Sequence, residues 1–223
     1  MSIDLYSEID QDSFRKKLLK YTRKAFRLLP RLDKPQILDV GCGSGVPTVE
    51  LAIMSNGNVV GIDTDQFLLQ KLDRKIQKKK FSSRVKTKRC SMFKLDFPDG
   101  SFDIIWVEGA IRWIGLERGL KNWRRLLKTN GFLVIHEEIR AVTNDPEKIP
   151  SLGYKLLSHF LLPEDAHWIE YYKPLENRIK EISNKYKNDS EACRLIEKLQ
   201  NEIDMVKRNP KDYRSGFYIM QKI

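Results

Sequence analysis

The sequence predicts an α/β fold, a mostly parallel sheet with helices on both faces and a helical insertion before the last strand. Short apolar runs near 36–40, 58–62, 84–90, 102–107 and 131–137 alternate with helical stretches near 47–54, 65–79 and 117–127. That alternation is what parallel strands joined by helical crossovers require. The first run opens into a glycine-rich turn, and the second ends in an acid, Asp63. A third observation concerns the last fifty-odd residues, where polar helical stretches precede a final apolar run.

Along the chain, Phe14, Leu18, Tyr21, Ala25 and Leu28 recur at helical spacing, so an amphipathic helix is expected over 11–29, covering the sheet and forming part of a lid. Ile37-Leu38-Asp39-Val40 is the first strand, and Pro47 suits the first turn of the helix after the glycines, where a missing N–H costs nothing. Lys155–Leu161 is expected as the sixth strand and Phe217–Gln221 as the seventh. Between them, 164–208 reads as two polar helices with a break near Lys187-Asn188-Asp189-Ser190. The expected organisation is a single domain: a helical cap over 1–34, a core over 35–163, a helical insertion over 164–212 and a final strand over 213–223. The insertion has too few apolar residues to fold alone.

Glycine at 41, 43 and 45 lets the backbone turn sharply and lets a ligand lie where a Cβ would stand. Asp63, eighteen residues past Gly45, is placed to reach two ribose hydroxyls. A dinucleotide site wants Gly-x-Gly-x-x-Gly and a helix N-terminus facing a pyrophosphate. Here the third glycine comes one residue early and Asp39 stands beside the turn, a poor neighbour for an anion. The chain has no Gly-x-x-x-x-Gly-Lys-Ser/Thr run to cradle phosphates. The ligand these residues fit is an adenosine with a cationic amino-acid tail.

Asp39-Val40-Gly41-Cys42-Gly43-Ser44-Gly45, with Asp63 downstream, resembles the Asp/Glu-x-Gly-x-Gly-x-Gly motif of the class I S-adenosylmethionine-dependent methyltransferases. The likeness continues through Phe97-Pro98-Asp99-Gly100-Ser101-Phe102-Asp103-Ile104-Ile105-Trp106 and Leu126–Ile135, and covers about Ile37 to Glu138. It is nearest to the small-molecule branch, akin to quinone-biosynthesis methyltransferases of the type 11 kind. The resemblance implies a Rossmann-like, seven-stranded fold, S-adenosyl-L-methionine as cofactor and S-adenosyl-L-homocysteine as product. It implies cofactor binding by Asp39, Gly41, Cys42, Gly43, Gly45 and Asp63, with Ser91 and Met92 at the adenine and Glu108 at the methionine end. Where the family often has Asp after the third strand, this chain has Cys90-Ser91-Met92; Ser91 accepts a hydrogen bond more weakly, and Met92 can lie on a purine face.

Methyl transfer mainly needs alignment of the acceptor and exclusion of water; a base is needed only where the acceptor must lose a proton. In the resembling family the segment after the fourth strand faces the methyl group and the acceptor, which makes Glu108 and Arg112 catalytic candidates and Trp113 a candidate wall for a flat substrate. The alternative is that Glu108 is an ordinary helix-start acid and that Arg112 and Trp113 only pack. His136-Glu137-Glu138 closes the fifth strand. Alternation sends 136 and 138 one way and 137 the other, so Glu137 or Glu138 alone is the candidate, not a triad. Trp168, Tyr171 and Tyr172 form one helix stripe that either seats the insertion or lines an apolar acceptor site.

The 223 residues carry a formal charge of +11 with a pI near 9.5. From Lys71 to Arg89, ten of nineteen residues are Lys or Arg and Asp73 is the sole acid. A solvated helix face accounts for this; a phosphate-tracking surface is the rival, which keeps an RNA (tRNA) or protein methyltransferase as an alternative. The absence of an Asn/Asp-Pro-Pro-Tyr run after the fourth strand weighs against that rival. A non-catalytic S-adenosylmethionine-binding partner protein is a third reading, and the intact glycine motif counts against it. Three scattered cysteines and three histidines without ligand spacing give no metal site or disulfide frame. The polar opening Met1-Ser2-Ile3-Asp4 and the lack of a membrane-length apolar run predict a cytoplasmic protein, a monomer or homodimer acting on a small molecule, with nucleic acid as the less favoured partner.

Overall fold

The computed structural model describes residues 3–139 and 148–223. These fall into two compact units, Tyr21–Leu161 with Ser215–Ile223, and Met1–Lys20 with Leu162–Arg214.

The first unit is a seven-stranded sheet in the order β3-β2-β1-β4-β5-β7-β6. Its strands are β1 (Gln36–Val40), β2 (Asn58–Asp63), β3 (Val85–Arg89), β4 (Phe102–Glu108), β5 (Leu127–Glu138), β6 (Tyr154–Leu161) and β7 (Ser215–Lys222). β1 to β5 run parallel, whereas β7 lies antiparallel between β5 and β6. The central strands are apolar on both faces because helices cover both: four of the five residues of β1 are buried. β3 is one of the two edges, and only Val85 of its Val-Lys-Thr-Lys-Arg is buried. Exposed lysines at an edge strand hinder pairing with a second chain. After β1 the order reverses, β2 to one side and β4 to the other, which leaves a crevice at the carboxyl ends of β1 and β4.

The helices of this unit begin where the sequence expects. α3 (Val46–Ser55) starts at Gly45 with Pro47 in its first turn. α4 (Gln66–Lys78) is capped by Asp65, whose carboxylate accepts from the N–H groups of Phe67 and Leu68, and buries Leu69, Leu72 and Ile76 at helical spacing. The helix expected over 117–127 is shorter, and comes as α5 (Ile111–Ile114) and α6 (Leu116–Arg124). It stops early because the start of β4 takes its last carbonyls: Gly100 N donates to Arg125 O and Phe102 N to Leu126 O. Short α7 (Lys148–Ser151) precedes β6. Trp106 and Trp123 are fully buried in this unit.

The second unit is helical. It holds α1 (Ile3–Ile9), the first ten residues of α2 (Gln11–Arg27), a π-helical turn over Trp168–Tyr172, α8 (Lys173–Ile182) and α9 (Ser190–Arg208). Its core gathers Leu5, Ile9, Tyr171, Leu175, Ile179 and Ile203. α1 was not anticipated: its buried pair, Leu5 and Ile9 one helical turn apart, is too short a pattern to mark a helix. The break near 187–190 is real, a 3-10 turn over Ser183–Tyr186 followed by Asp189 capping α9.

Candidate active site

The glycine turn is fastened to the end of β2, with Gly41 N and Cys42 N both donating to Ile62 O at 2.9 Å. Gly41 has φ +71°, and a Cβ there would lie 2.6 Å from Ala110 Cβ. Gly45 has φ +77°, and its Cβ would meet Leu72 Cδ1 at 2.2 Å. Both positions combine left-handed backbone with no room, so only glycine serves. Gly43 N donates to Asp63 Oδ2 at 2.8 Å, and Asp65 N to Asp63 Oδ1 at 2.9 Å. The two backbone donors aim the Asp63 carboxylate and leave further lone pairs for a diol. Cys42 is buried, its thiol kept protonated by that burial and by Asp39 and Asp63 nearby.

A cleft of about 350 Å³ opens at this edge of the sheet, lined by Gly41, Asp63, Met92, Phe93, Ala110 and Trp113 among others. Ser91 and Cys90 also line it. A volume of that size falls at the small end of the range for ligand pockets. The absence of a Cβ at Gly41 and the aimed carboxylate of Asp63 in one cleft fit an adenosine, the group the motif implies.

Asp39 and Glu108 are not among the residues lining that cleft. Asp39 is 2 % exposed, and the Thr48 hydroxyl donates to its Oδ2 at 2.6 Å. Burial pushes its pKa up to about 7, against the Thr48 hydrogen bond and with a smaller push from Asp63. Glu108, at the end of the neighbouring strand, is also raised to about 7 by burial, opposed by two donors and pushed further by Asp39. Those donors are Trp106 Nε1 at 2.7 Å and Thr22 Oγ1 at 3.0 Å, both to Oε1. Thr22 was not anticipated from sequence. It lies one turn after Leu18 on the apolar face of α2 and is 1 % exposed, and a hydroxyl at a core position is the signal that marks it. The last turns of α2 also meet the sheet unit through Arg23 Nε to Glu50 at 2.6 Å and the Phe26 and Trp106 rings at 6.2 Å.

Residues 38–135 match the family model described as a methyltransferase domain. Sterol 24-C-methyltransferase of Pneumocystis carinii is 30 % identical over 115 residues, covering 50 % of this chain and 30 % of that protein. Demethylmenaquinone methyltransferase of Lactobacillus johnsonii is 31 % identical over 120 residues, covering 52 % of this chain and 49 % of that one. The sheet core is thus similar, over residues 38–135, to a methyltransferase domain. The chain spans less than half the length of either relative. A methyltransferase of Thiobacillus denitrificans, solved in complex with S-adenosyl-L-homocysteine, superposes with a TM-score of 0.75 over 92 % of this chain and 91 % of that one, at 18 % identity, a likeness of fold.

Elsewhere in the sheet unit, the other candidates are engaged in packing and ion pairs. Arg112 holds both Glu137 (Nη2 to Oε1, 2.7 Å) and Glu138 (Nη1 to Oε1, 2.9 Å). Alternation predicts that these two acids diverge. They converge because Arg112 is long enough to reach both at the strand end. Glu137 is 1 % exposed, also accepts from Glu138 N, and is therefore a neutralised structural acid in this arrangement. His136 Nε2 lies 3.0 Å from Ser215 Oγ and its ring stacks on Phe217. In the helical unit, Tyr171 is buried and Trp168 and Tyr172 pack on the same core, with Lys207 over the Trp168 ring and Tyr172 Oη donating to Glu202 at 3.0 Å. Seating the unit's own helices accounts for the stripe.

The basic run is partly structural as well. Lys75 Nζ donates to Ser44 O, Arg84 to Ala52 O and Gly57 O, and Arg89 to Thr64 O. Lys78, Lys79 and Lys80 stand exposed. Among the described residues no His, Cys, Asp and Glu cluster fits a metal ion, and no helix is long and apolar enough to cross a membrane.

Proposed function

We propose that this chain transfers a methyl group from S-adenosyl-L-methionine to a small-molecule acceptor, releasing S-adenosyl-L-homocysteine. The observation that carries the reading is the left-handed Gly41, whose missing Cβ faces Ala110, in the same cleft as the aimed carboxylate of Asp63. The cofactor, when bound, supplies an electrophilic methyl on a sulfonium. The chain's own part is to hold, orient and keep dry. Gly41 brings the backbone up to the adenosyl group, Gly43 and Gly45 shape the turn behind it, Asp63 takes the ribose hydroxyls, and Ser91 and Met92 meet the base. Asp39 and Glu108 form an acid pair for the ammonium of the methionine end. With a pKa near 7, Glu108 is also the group suited to take a proton from an acceptor hydroxyl at its Oε atoms. The two relatives, a sterol 24-C-methyltransferase and a demethylmenaquinone methyltransferase, support an apolar acceptor. All of this is read as one methyltransferase domain with 164–212 inserted, working in the cytoplasm as a monomer or homodimer.

Mass spectrometry of what co-purifies with the protein, followed by turnover of S-adenosylmethionine over a metabolite panel, tests the reading. Recovery of a nicotinamide dinucleotide, or of no nucleoside together with no calorimetric binding of S-adenosylhomocysteine, ends it. Methylation of RNA or protein is the second reading, favoured by exposed Lys78, Lys79 and Lys80. Binding of tRNA that weakens steeply with salt and is lost when those three are neutralised would promote it.

A further inference from the structure

At the end of β3 the chain passes through Cys90-Ser91-Met92-Phe93. Among the described residues Asp63 is the one carboxylate lining the cleft, and two backbone N–H groups already hold it at the ribose end. A hydroxyl stands where the family often has an acid to take the adenine amino group, and the walls around it are apolar. Met92, Phe93 and Trp113 all line this cleft. Phe93 is 46 % and Trp113 72 % exposed, while Trp106 and Trp123 are fully buried. Large flat side chains left open to water beside a ligand-sized cleft need an occupant to cover them. The wall is also braced: Met92 O accepts from Trp123 Nε1 at 3.1 Å, and the Arg118 guanidinium sits 5.0 Å from the Phe93 ring centre.

We infer that this chain grips the purine of its cofactor by stacking on Met92, Phe93 and Trp113, with Ser91 as an ambivalent polar partner, and so discriminates weakly between adenine and hypoxanthine. This rests on the cofactor reading above. The chemistry follows from the donor inventory. A carboxylate only accepts, so it welcomes the amino group of adenine and repels the carbonyl oxygen that replaces it in hypoxanthine. A serine hydroxyl donates or accepts and suits either. Stacking is blind to the exchange, because every base presents a π-face. Trp113 thus belongs to the base end of the cleft, not to the acceptor.

Calorimetric titration with S-adenosylhomocysteine and with S-inosylhomocysteine decides it. The wild-type protein is expected to bind the two within about tenfold of each other, whereas a site built around an acceptor-only group would separate them by about a hundredfold or more. Ser91→Asp should open that gap by favouring the adenosyl ligand. Trp113→Ala should weaken both ligands equally, by about tenfold. Iodide quenching of wild-type tryptophan fluorescence should fall on adding S-adenosylhomocysteine, and the protection should vanish in Trp113→Phe, a measurement that needs no disruptive variant. Wild-type rejection of the inosyl ligand by more than about a hundredfold, or unchanged affinities in Trp113→Ala, overturns the inference while leaving the methyltransferase reading intact. Failure of the wild type to bind S-adenosylhomocysteine overturns both.

Discussion

In the helical unit, the buried carboxylate of Glu176 meets Lys207 at 2.6 Å and Lys180 at 3.2 Å, and these lysines hold its pKa below the ordinary value. In the sheet unit, Asp39 is buried and Glu108 partly buried, with hydroxyl and indole donors and no cationic side chain among the described residues, and both rise to about 7. A buried acid with a cation contributes to the fold; one without it is costly to ionise and is kept where a ligand or a proton completes it. The same contrast divides the sheet unit itself. Glu137, paired with Arg112 near the end of β5, is of the first kind; Glu108, at the end of the adjacent strand β4, is of the second.

The contrast can be tested from its strongest consequence downward. Gly45→Ala forces a side chain into left-handed backbone and against Leu72, so a stability loss of about 2–4 kcal/mol is expected in denaturant melts. Asp63→Ala should leave the melt nearly unchanged yet weaken S-adenosylhomocysteine at least about tenfold by calorimetry; equal affinity would remove Asp63 from the site. Glu108→Gln should alter pH dependence. An unfolded chain ionises this glutamate near its ordinary value, but the folded one does so near 7. Between those values the folded state binds more protons, so the wild type loses stability as pH climbs through that window. Glu108→Gln should therefore gain on the wild type between about pH 5 and about pH 8. The smallest effect is expected from Glu176→Gln, with the opposite sign: up to about 1 kcal/mol lost near neutral pH, fading as acid protonates the wild-type carboxylate. A Glu108 variant that behaved like the Glu176 one would erase the distinction.

Most of the sheet was legible because parallel strands buried on both faces write themselves as apolar runs, and the observed β1, β2 and β4 lie within a residue of the expected spans. The glycine turn was legible because its geometry admits one residue type. The partners of Glu108 were not. Thr22 lies 86 positions away, and a lone threonine on a helix carries no pattern that names its acceptor. Nor does alternation foresee that one arginine gathers Glu137 and Glu138, since reach depends on side-chain length rather than on the pleat. The aromatic stripe at Trp168, Tyr171 and Tyr172 shows why the helical unit is harder to read: packing and ligand binding ask for the same residues at the same spacing.

β7 has neighbours on both sides, with Phe132 opposite Gln221 in β5 and Leu156 opposite Met220 in β6. Yet the whole of Leu162–Arg214 separates it from β6 along the chain. During synthesis β6 thus leaves the ribosome with no strand to bond to, and waits until the intervening helices have been made. A stalled or clipped product ending anywhere in that stretch would expose two raw strand edges, those of β5 and β6, and such edges invite aggregation.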